Sequence, residues 1–252
     1  MTGDLLQDGS FAFRQEARSD LGLVRSGNED SLIRVPDLRL FGVCDGMGGH
    51  AAGEVASAIA AEVLAQEIAS STDSSSEAVR QAIAKADERV FRDQEDCEQH
   101  RGMGTTVSAL WLVADPTPRG WIGHVGDSRI YRRHRGGFQQ LTVDHSPVFR
   151  LFQSGLLDKD EMLSHPYKHL LDRALGLQPP VEVDVFPVDL EVGDVFLICT
   201  DGLTDMLVDQ EIHNVLKSEK LLPRVADQLV SLANQKGGID NISLILIEIV
   251  QI

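Results

Sequence analysis

The sequence predicts an α+β domain in which antiparallel sheets are covered by helices. Short stretches rich in Val, Ile, Leu and Phe, each bounded by Gly, Asp or Pro, indicate strands. A strand is followed by two helices, a block of strands, further helices and a last strand, so the regular alternation of a parallel β/α fold is missing. The predicted strands cover residues 38–44, 106–113, 120–125, 181–188, 194–199 and 242–250.

Helices and a hairpin are indicated by local patterns. Two helices carry an apolar residue at every third or fourth position: Val55, Ile59 and Val63 in the first, and Val79, Ile83, Ala86 and Val90 in the second. Ser74 and Glu77 have the spacing of a capping box before the second helix. A third helix over 223–234 stops before Gly237-Gly238, and Gly136-Gly137 predicts a hairpin turn.

Composition limits the class of protein. A chain of 252 residues, 42% of them hydrophobic, fits one globular domain. The formal net charge of −16 disfavours nucleic acid and anionic membranes as partners. Cys44, Cys97 and Cys199 are too few and too scattered for a disulfide framework, which fits a reducing compartment. The first residues lack the basic start and apolar core of a signal peptide, so we expect a cytoplasmic protein.

Four aspartates lie at the ends of predicted strands. Asp45 and Asp201 each follow an apolar strand and precede a glycine, Asp127 follows the strand over 120–125, and Asp240 precedes the last strand. Asp-Gly is also an ordinary turn dipeptide, so a single case carries little weight. A lone carboxylate at the rim of a rigid core is costly to desolvate, and a bound cation removes that cost. Oxygen ligands suit Mg²⁺ or Mn²⁺, and no His/Cys spacing suits zinc.

Such an acidic cluster favours phosphoester hydrolysis. Two hard cations about 4 Å apart share a water, lower its pKa and present hydroxide to a phosphorus atom. No nucleophilic side chain is then needed.

Six short motifs follow one another along most of the chain. They are Arg25-Ser26-Gly27-Asn28-Glu29-Asp30, Val43-Cys44-Asp45-Gly46-Met47-Gly48-Gly49-His50, Gly104-Thr105-Thr106, Val125-Gly126-Asp127-Ser128-Arg129, Thr200-Asp201-Gly202-Leu203 and Asp240-Asn241. Each is weak alone. As an ordered set they resemble the PPM family, the type 2C protein phosphatases, in its bacterial form. The resemblance implies one domain over residues 1–252: a central sandwich of two antiparallel β-sheets flanked by helices on both faces, with an inserted flap subdomain at about 147–180 that contributes to substrate selection.

The resemblance also implies a metal-binding role for individual residues. Asp45 would bridge two Mn²⁺ or Mg²⁺ ions, with the Gly46 backbone carbonyl on one of them. Asp201 and Asp240 would complete the other ion's shell. Asp127, together with Asp201, would hold a third, weaker ion.

Three further residues would act beside the metals. Arg25 would grip the phosphate, a role that suits a guanidinium because it matches phosphate oxygens bidentately. Glu29 and Asp30 would act through metal-bound waters.

The sequence departs from the family pattern at two places. Eukaryotic members often carry a proposed general acid, His, where this chain has Met47, which cannot donate a proton. His50 is present three residues later, and a structural role is the better interpretation for it. Asp172 precedes Arg173 where many bacterial relatives have Thr, which would alter the flap.

The resulting hypothesis is a monomeric enzyme that hydrolyses phosphoserine and phosphothreonine in proteins and opposes a cellular Ser/Thr kinase. Its nucleophile would be a metal-bound water or hydroxide. A family member that only binds phosphopeptides is one alternative, although none of the metal-binding acids is missing. A two-metal nuclease is another, and the net charge of −16 with no basic stripe weighs against it.

Overall fold

The structure is a computed structural model that describes residues 6–7, 11–48, 52–114 and 118–252. The strands are β1 (Leu6–Gln7), β2 (Ala12–Asp20), β3 (Asp30–Val35), β4 (Leu40–Met47), β5 (Gly104–Thr105), β6 (Val107–Val113), β7 (Arg119–Val125), β8 (Arg129–His134), β9 (Gly137–Gln140), β10 (Asp184–Asp189), β11 (Val195–Cys199) and β12 (Ile242–Gln251). The α-helices are α1 (Ala52–Ser70), α2 (Ser76–Asp96), α3 (Pro147–Gln153), α4 (Lys159–Ser164), α5 (Asp201–Thr204), α6 (Asp209–Ser218) and α7 (Leu222–Gln235).

Two antiparallel sheets form the centre of the molecule. One sheet has the strand order β1-β2-β12-β11-β8-β9, and the other has the order β10-β7-β6-β4-β3. A buried apolar cluster between them takes side chains from both sheets, among them Phe13, Phe41, Leu110, Phe196 and Ile247. The sheets therefore pack face to face as a sandwich, as predicted.

Helices cover the outer face of each sheet. Apolar side chains of α1 and α2 pack on the sheet that contains β4 and β6, while those of α6 and α7 pack on the sheet that contains β11 and β12. Along β4, Phe41 and Val43 point into the sandwich, while Leu40 and Cys44 pack under α1 and α2. Strands buried on both faces read as continuous apolar runs, which is why the pattern analysis found them. Among the described residues, no helix combines the length and apolarity needed to cross a membrane.

Several local predictions need correction. The sequence patterns did not predict β2 or β3, because β2 is mostly polar and β3 has as many polar as apolar residues. The cap of α2 is Ser75, whose hydroxyl accepts from the Glu77 N–H at 3.2 Å, and Ser74 instead accepts from Trp121 through its carbonyl. The β8–β9 turn consists of Arg135 and Gly136, one residue earlier than predicted, with φ of 45° and 85°.

The chain between β9 and β10 holds α3 and α4, in the region where the sequence predicted an insertion. The last part of this segment, where the chain approaches β10, is hydrogen-bonded to the buried carboxylate of Asp87 on α2. Asp87 accepts from the Gly176 N–H at 2.8 Å and from the Val181 N–H at 2.9 Å. Arg80, two turns earlier on α2, donates to the Val183 carbonyl at 2.7 Å. The α2 helix therefore fixes where this segment rejoins the sandwich.

Replacing Asp87 tests this attachment. Asp87→Ala leaves two buried N–H groups without an acceptor, so we expect the free energy of unfolding to fall by about 2–4 kcal/mol. Glu88→Ala, at an exposed neighbouring position on the same helix, is the matched control and should change it by less than about 0.5 kcal/mol. Urea unfolding followed by circular dichroism measures both. Equal unfolding midpoints for the two variants would contradict the assignment.

Candidate metal centre

The predicted acidic residues meet at one end of the sandwich. Asp30 at the start of β3 is the cross-strand partner of Asp45 near the end of β4. Asp201 begins α5, two residues after the last residue of β11, and Asp240 lies two residues before β12, the strand paired with β11. Asp127 lies in the turn that follows β7. The antiparallel register thus gathers strand ends that are far apart in sequence.

Asp45 lies at the middle of this group. Burial raises the pKa of its carboxyl well above the ordinary value, and the nearby Asp201, Asp30, Asp127 and Asp240 add to the rise. The main chain holds Asp45 in place, because its N–H donates to the Thr106 hydroxyl at 3.0 Å and its carbonyl accepts from the Thr106 N–H at 2.9 Å. These contacts hold the main chain of Asp45 at this end of the sheet.

Asp201 and Asp45 lie close enough for each carboxyl to change the pKa of the other. Burial acts to raise the pKa of Asp201, but His169 and the Asp45 carboxyl outweigh it, so that the pKa lies below its usual range. Two carboxyl groups this close must share a proton or have a cation between them, since two bare carboxylates repel strongly.

Asp30 supplies a direct test of whether a cation fits. One carboxylate oxygen accepts from the Thr200 hydroxyl at 3.0 Å, while the other, Oδ1, is buried without a hydrogen-bond partner. Burial is the main cause that raises the pKa of Asp30 to about 8. An unpaired buried carboxylate oxygen is costly, and the donors around it are all oxygens. The donor set therefore fits a hard divalent cation such as Mg²⁺ or Mn²⁺.

Asp127 lies deeper in the adjoining cavity. Burial raises the pKa of its carboxyl well above the ordinary value, and Asp201 and Asp144 raise it further. The open cleft beside it is also lined by Asp201, His169 and Asp205. Asp127 and Asp201 therefore line the same cleft, and the charge of Asp201 acts on Asp127.

Arg25 stands at the rim of the acidic group. Its guanidinium donates to Asp240 Oδ2 at 2.7 Å, and a second nitrogen lies 3.7 Å from Glu29 Oε2. The Arg25 side chain remains 47% exposed, so part of its donor set faces solvent. Burial raises the pKa of Glu29, with Arg25 acting in the opposite direction.

Both glycines that follow the strand-end aspartates are required by close backbone packing. A Cβ on Gly46 would collide with the carbonyls of Gly53 and Glu29. A Cβ on Gly202 would collide with the Asn241 carbonyl. Gly46 thereby allows the start of α1 to pack against β4, and Gly202 allows α5 to pack against the start of β12.

Pattern analysis missed three residues of this region. His169 Nδ1 lies 3.9 Å from Asp201 Oδ2 and 3.8 Å from Asp205 Oδ2. Lys168 donates to the same Asp205 oxygen at 2.7 Å. The four-residue spacing of Asp201 and Asp205 at a helix start was a signal that could have found Asp205. Nothing local in the sequence connects His169 with Asp201.

The two departures from the family pattern have different outcomes. Met47 ends β4 and pairs with Gly104, so this position offers no proton donor. His50 lies outside the described residues. Asp172 forms an ion pair with Arg150 of α3 at 3.0 Å, and its N–H donates to the His145 carbonyl at 2.8 Å. The change at Asp172 therefore acts on the segment between β9 and β10.

Comparisons with known proteins identify the family and the fold. The family model for protein phosphatase 2C matches residues 26–241. The serine/threonine phosphatase Stp of Listeria welshimeri is 36% identical over 92% of this chain and 94% of its own. The crystal structure of the Mycobacterium tuberculosis serine/threonine phosphatase PstP/Ppp superposes with a TM-score of 0.86 at 34% identity, covering 95% of this chain and 99% of that one. The PstP catalytic domain in complex with two manganese ions superposes at 0.85 and 32% identity, covering 96% and 100%.

The fold and the sequence together define the class of the protein, a metal-dependent protein phosphatase. The chain belongs to the protein phosphatase 2C family. It is a serine/threonine phosphatase of this type, and the resemblance inferred from the ordered motifs is confirmed.

Because the carboxylates repel one another, replacing Asp45 should change the thermal stability in opposite directions with and without metal. Asp45→Asn removes one member of a repelling set, so with chelator present its melting temperature should equal or exceed that of the wild type. With Mn²⁺ at about a hundred times its Kd, the wild type should gain about 5–10 °C and the variant little. Differential scanning calorimetry measures both states.

Asp37→Asn is the control, because Asp37 is exposed in the turn before β4, at the opposite end of that strand from Asp45. It should follow the wild type under both conditions. A gain from Mn²⁺ in Asp45→Asn as large as that of the wild type would remove Asp45 from the candidate centre.

Proposed function

We propose that this chain hydrolyses phosphoserine and phosphothreonine in proteins at a centre of two Mn²⁺ or Mg²⁺ ions, and that it opposes a cellular Ser/Thr kinase. The observation that carries the proposal is the group of closely spaced, partly buried carboxylates with a half-exposed arginine at its rim. Such a group is costly to keep unless cations are bound, and the arginine faces the solvent from which a phosphate would arrive.

The proposed metal ligands are Asp45 between the two ions, the Gly46 carbonyl, Asp201 and Asp240. Asp127 and Asp201 are proposed for a third, weaker ion. The relative that was solved with two manganese ions supports the number two, and the coupling of Asp127 to Asp201 supports the outer position. When bound, such ions neutralise charge on the phosphoryl group and supply a hydroxide nucleophile at neutral pH.

The protein's own groups bind and orient the phosphoester. Arg25 is proposed to hold two phosphate oxygens, and its contacts with Asp240 and Glu29 fix the direction in which the guanidinium points. Glu29 and Asp30 are proposed to orient waters at the ions. Phosphoryl transfer depends mainly on such positioning and charge neutralisation, so the absence of a proton donor at Met47 does not weigh against the reaction.

The segment over 147–180 is proposed as a flap that selects substrates beside the centre. Its residues Lys168 and His169 contact the carboxylates that follow β11, and Lys159 donates to Asp209 at 3.0 Å. Movement of this segment would therefore change the wall of the cavity. We further propose that the enzyme acts as a monomer in the cytoplasm.

Asp201→Asn tests the proposed function. Asparagine keeps the size of the side chain but removes the charge that two ions would share, so Mn²⁺-dependent release of phosphate from an aryl phosphate should fall by at least about 100-fold. Asp37→Asn, at an exposed position, is the control and should retain full activity. Steady-state kinetics of phosphate release measures the effect. Undiminished activity of Asp201→Asn would overturn the mechanism, and inactivity of the wild type would favour a protein that only binds phosphopeptides.

A further inference from the structure

Four large apolar side chains are exposed beside Arg25. They are Leu21, Leu23, Val24 and Ile239, exposed by 41%, 68%, 67% and 57%, and we call them the apolar platform. Single exposed apolar residues are common on protein surfaces, but these four lie on two loops that touch each other. Leu23 packs over Gly238, and its N–H donates to the Gly238 carbonyl at 2.7 Å. The two loops that carry these side chains therefore lie against each other.

The loops beneath the platform are held rigidly. The Asn241 side chain is almost fully buried, and its amide donates to the carbonyls of Leu21 and Gly27 at 2.9 and 3.0 Å. Its oxygen accepts from the Glu29 N–H at 2.8 Å. Gly22 lies so close to the Asp240 carbonyl that a Cβ there would collide with it. One buried side chain thus fixes both the apolar platform and the residues around the phosphate anchor.

The platform is continuous with the proposed substrate site. Val24 directly precedes Arg25, and Ile239 directly precedes Asp240, to which Arg25 donates at 2.7 Å. An extended peptide advances about 3.3 Å per residue. Side chains two or three positions from a phosphoresidue held by Arg25 would reach about 7–10 Å, on the scale needed to meet residues that adjoin Arg25 and Asp240 in sequence.

We propose that the apolar platform binds large apolar side chains that flank the phosphoresidue of a protein substrate. The inference rests on the proposed function and names its substrate class: extended phosphoprotein segments with Leu, Ile or Val within three positions of the phosphoserine or phosphothreonine. The exposed side chains would be covered only while such a segment is bound. The apolar platform would therefore make the enzyme prefer certain flanking residues. The reaction at the metal ions does not distinguish between them.

The test compares two phosphothreonine peptides that differ only in their flanks, one with Leu at the two positions on each side and one with Ser there. We expect the wild type to favour the Leu peptide by about tenfold in kcat/KM, which corresponds to roughly 55 Å² of apolar surface buried. In Leu23→Ser/Val24→Ser the ratio should fall to about 1. Val192→Ser, at a 64% exposed position between β10 and β11, should keep it.

Hydrolysis of an aryl phosphate by the wild type is measured in parallel, since its loss would overturn the proposed function and the inference together. With that activity present, equal kcat/KM for the two peptides overturns the inference alone. A preference that survives in Leu23→Ser/Val24→Ser also overturns it, because the preference would then arise elsewhere. Val24→Ser alone should show an intermediate ratio if the double variant unfolds early. Light scattering that shows a dimer in the wild type and a monomer in Leu23→Ser/Val24→Ser would mean that a second copy of the chain covers the apolar platform. That result would overturn the inference.

Discussion

Repulsion among buried carboxylates is the constraint on which the rest of this structure depends. Burial raises the pKa values of Asp30, Asp45 and Asp127, and the charge of Asp201 raises all three further. A fold could relieve this cost by spreading the acids apart. Here the acids stay together because each is attached to a strand end, and the strands are set by the packing of the two sheets. Bound cations neutralise the repelling carboxylates, so relief of this repulsion contributes to the affinity of the site for cations.

The scaffold keeps this group in place through contacts that involve no metal. Thr106 fixes the main chain of Asp45, Thr200 orients Asp30, and Asn241 connects the loop of Arg25 to the start of β12. Two glycines allow α1 and α5 to approach the strands more closely than a side chain would permit. Because these contacts are made by backbone groups or buried side chains, the site is preorganised before substrate arrives. In the adjoining segment over 147–180, the end near β10 is held by the buried Asp87 carboxylate, whereas Lys159 and Lys168 hold the middle through more exposed ion pairs, which are weaker.

Sequence patterns predicted the parts of the molecule that are set by local chemistry. Strands such as β4 and β11 are apolar on both faces, and the acid at the end of each is conspicuous for that reason. The polar strand β2 was missed because its place is set by its long pairing with β12, which is far away in sequence. The contact of His169 with Asp201 was missed for the same reason. It depends on how a loop of more than forty residues between β9 and β10 folds back. The apolar platform also escaped prediction, because Leu23 and Ile239 become neighbours only through the hydrogen bonds of Asn241 and Gly238.

The location of the metals tests the central claim most directly. Crystals grown with Mn²⁺ and measured for anomalous scattering would show where the ions bind. The account predicts two strong peaks about 4 Å apart on either side of the Asp45 carboxylate, with Asp201 and Asp240 on one of them. A peak near Asp127 and Asp201 should be weaker. The absence of any peak within about 2.5 Å of an Asp45 oxygen would contradict the account, since that is the outer limit for carboxylate coordination of such ions.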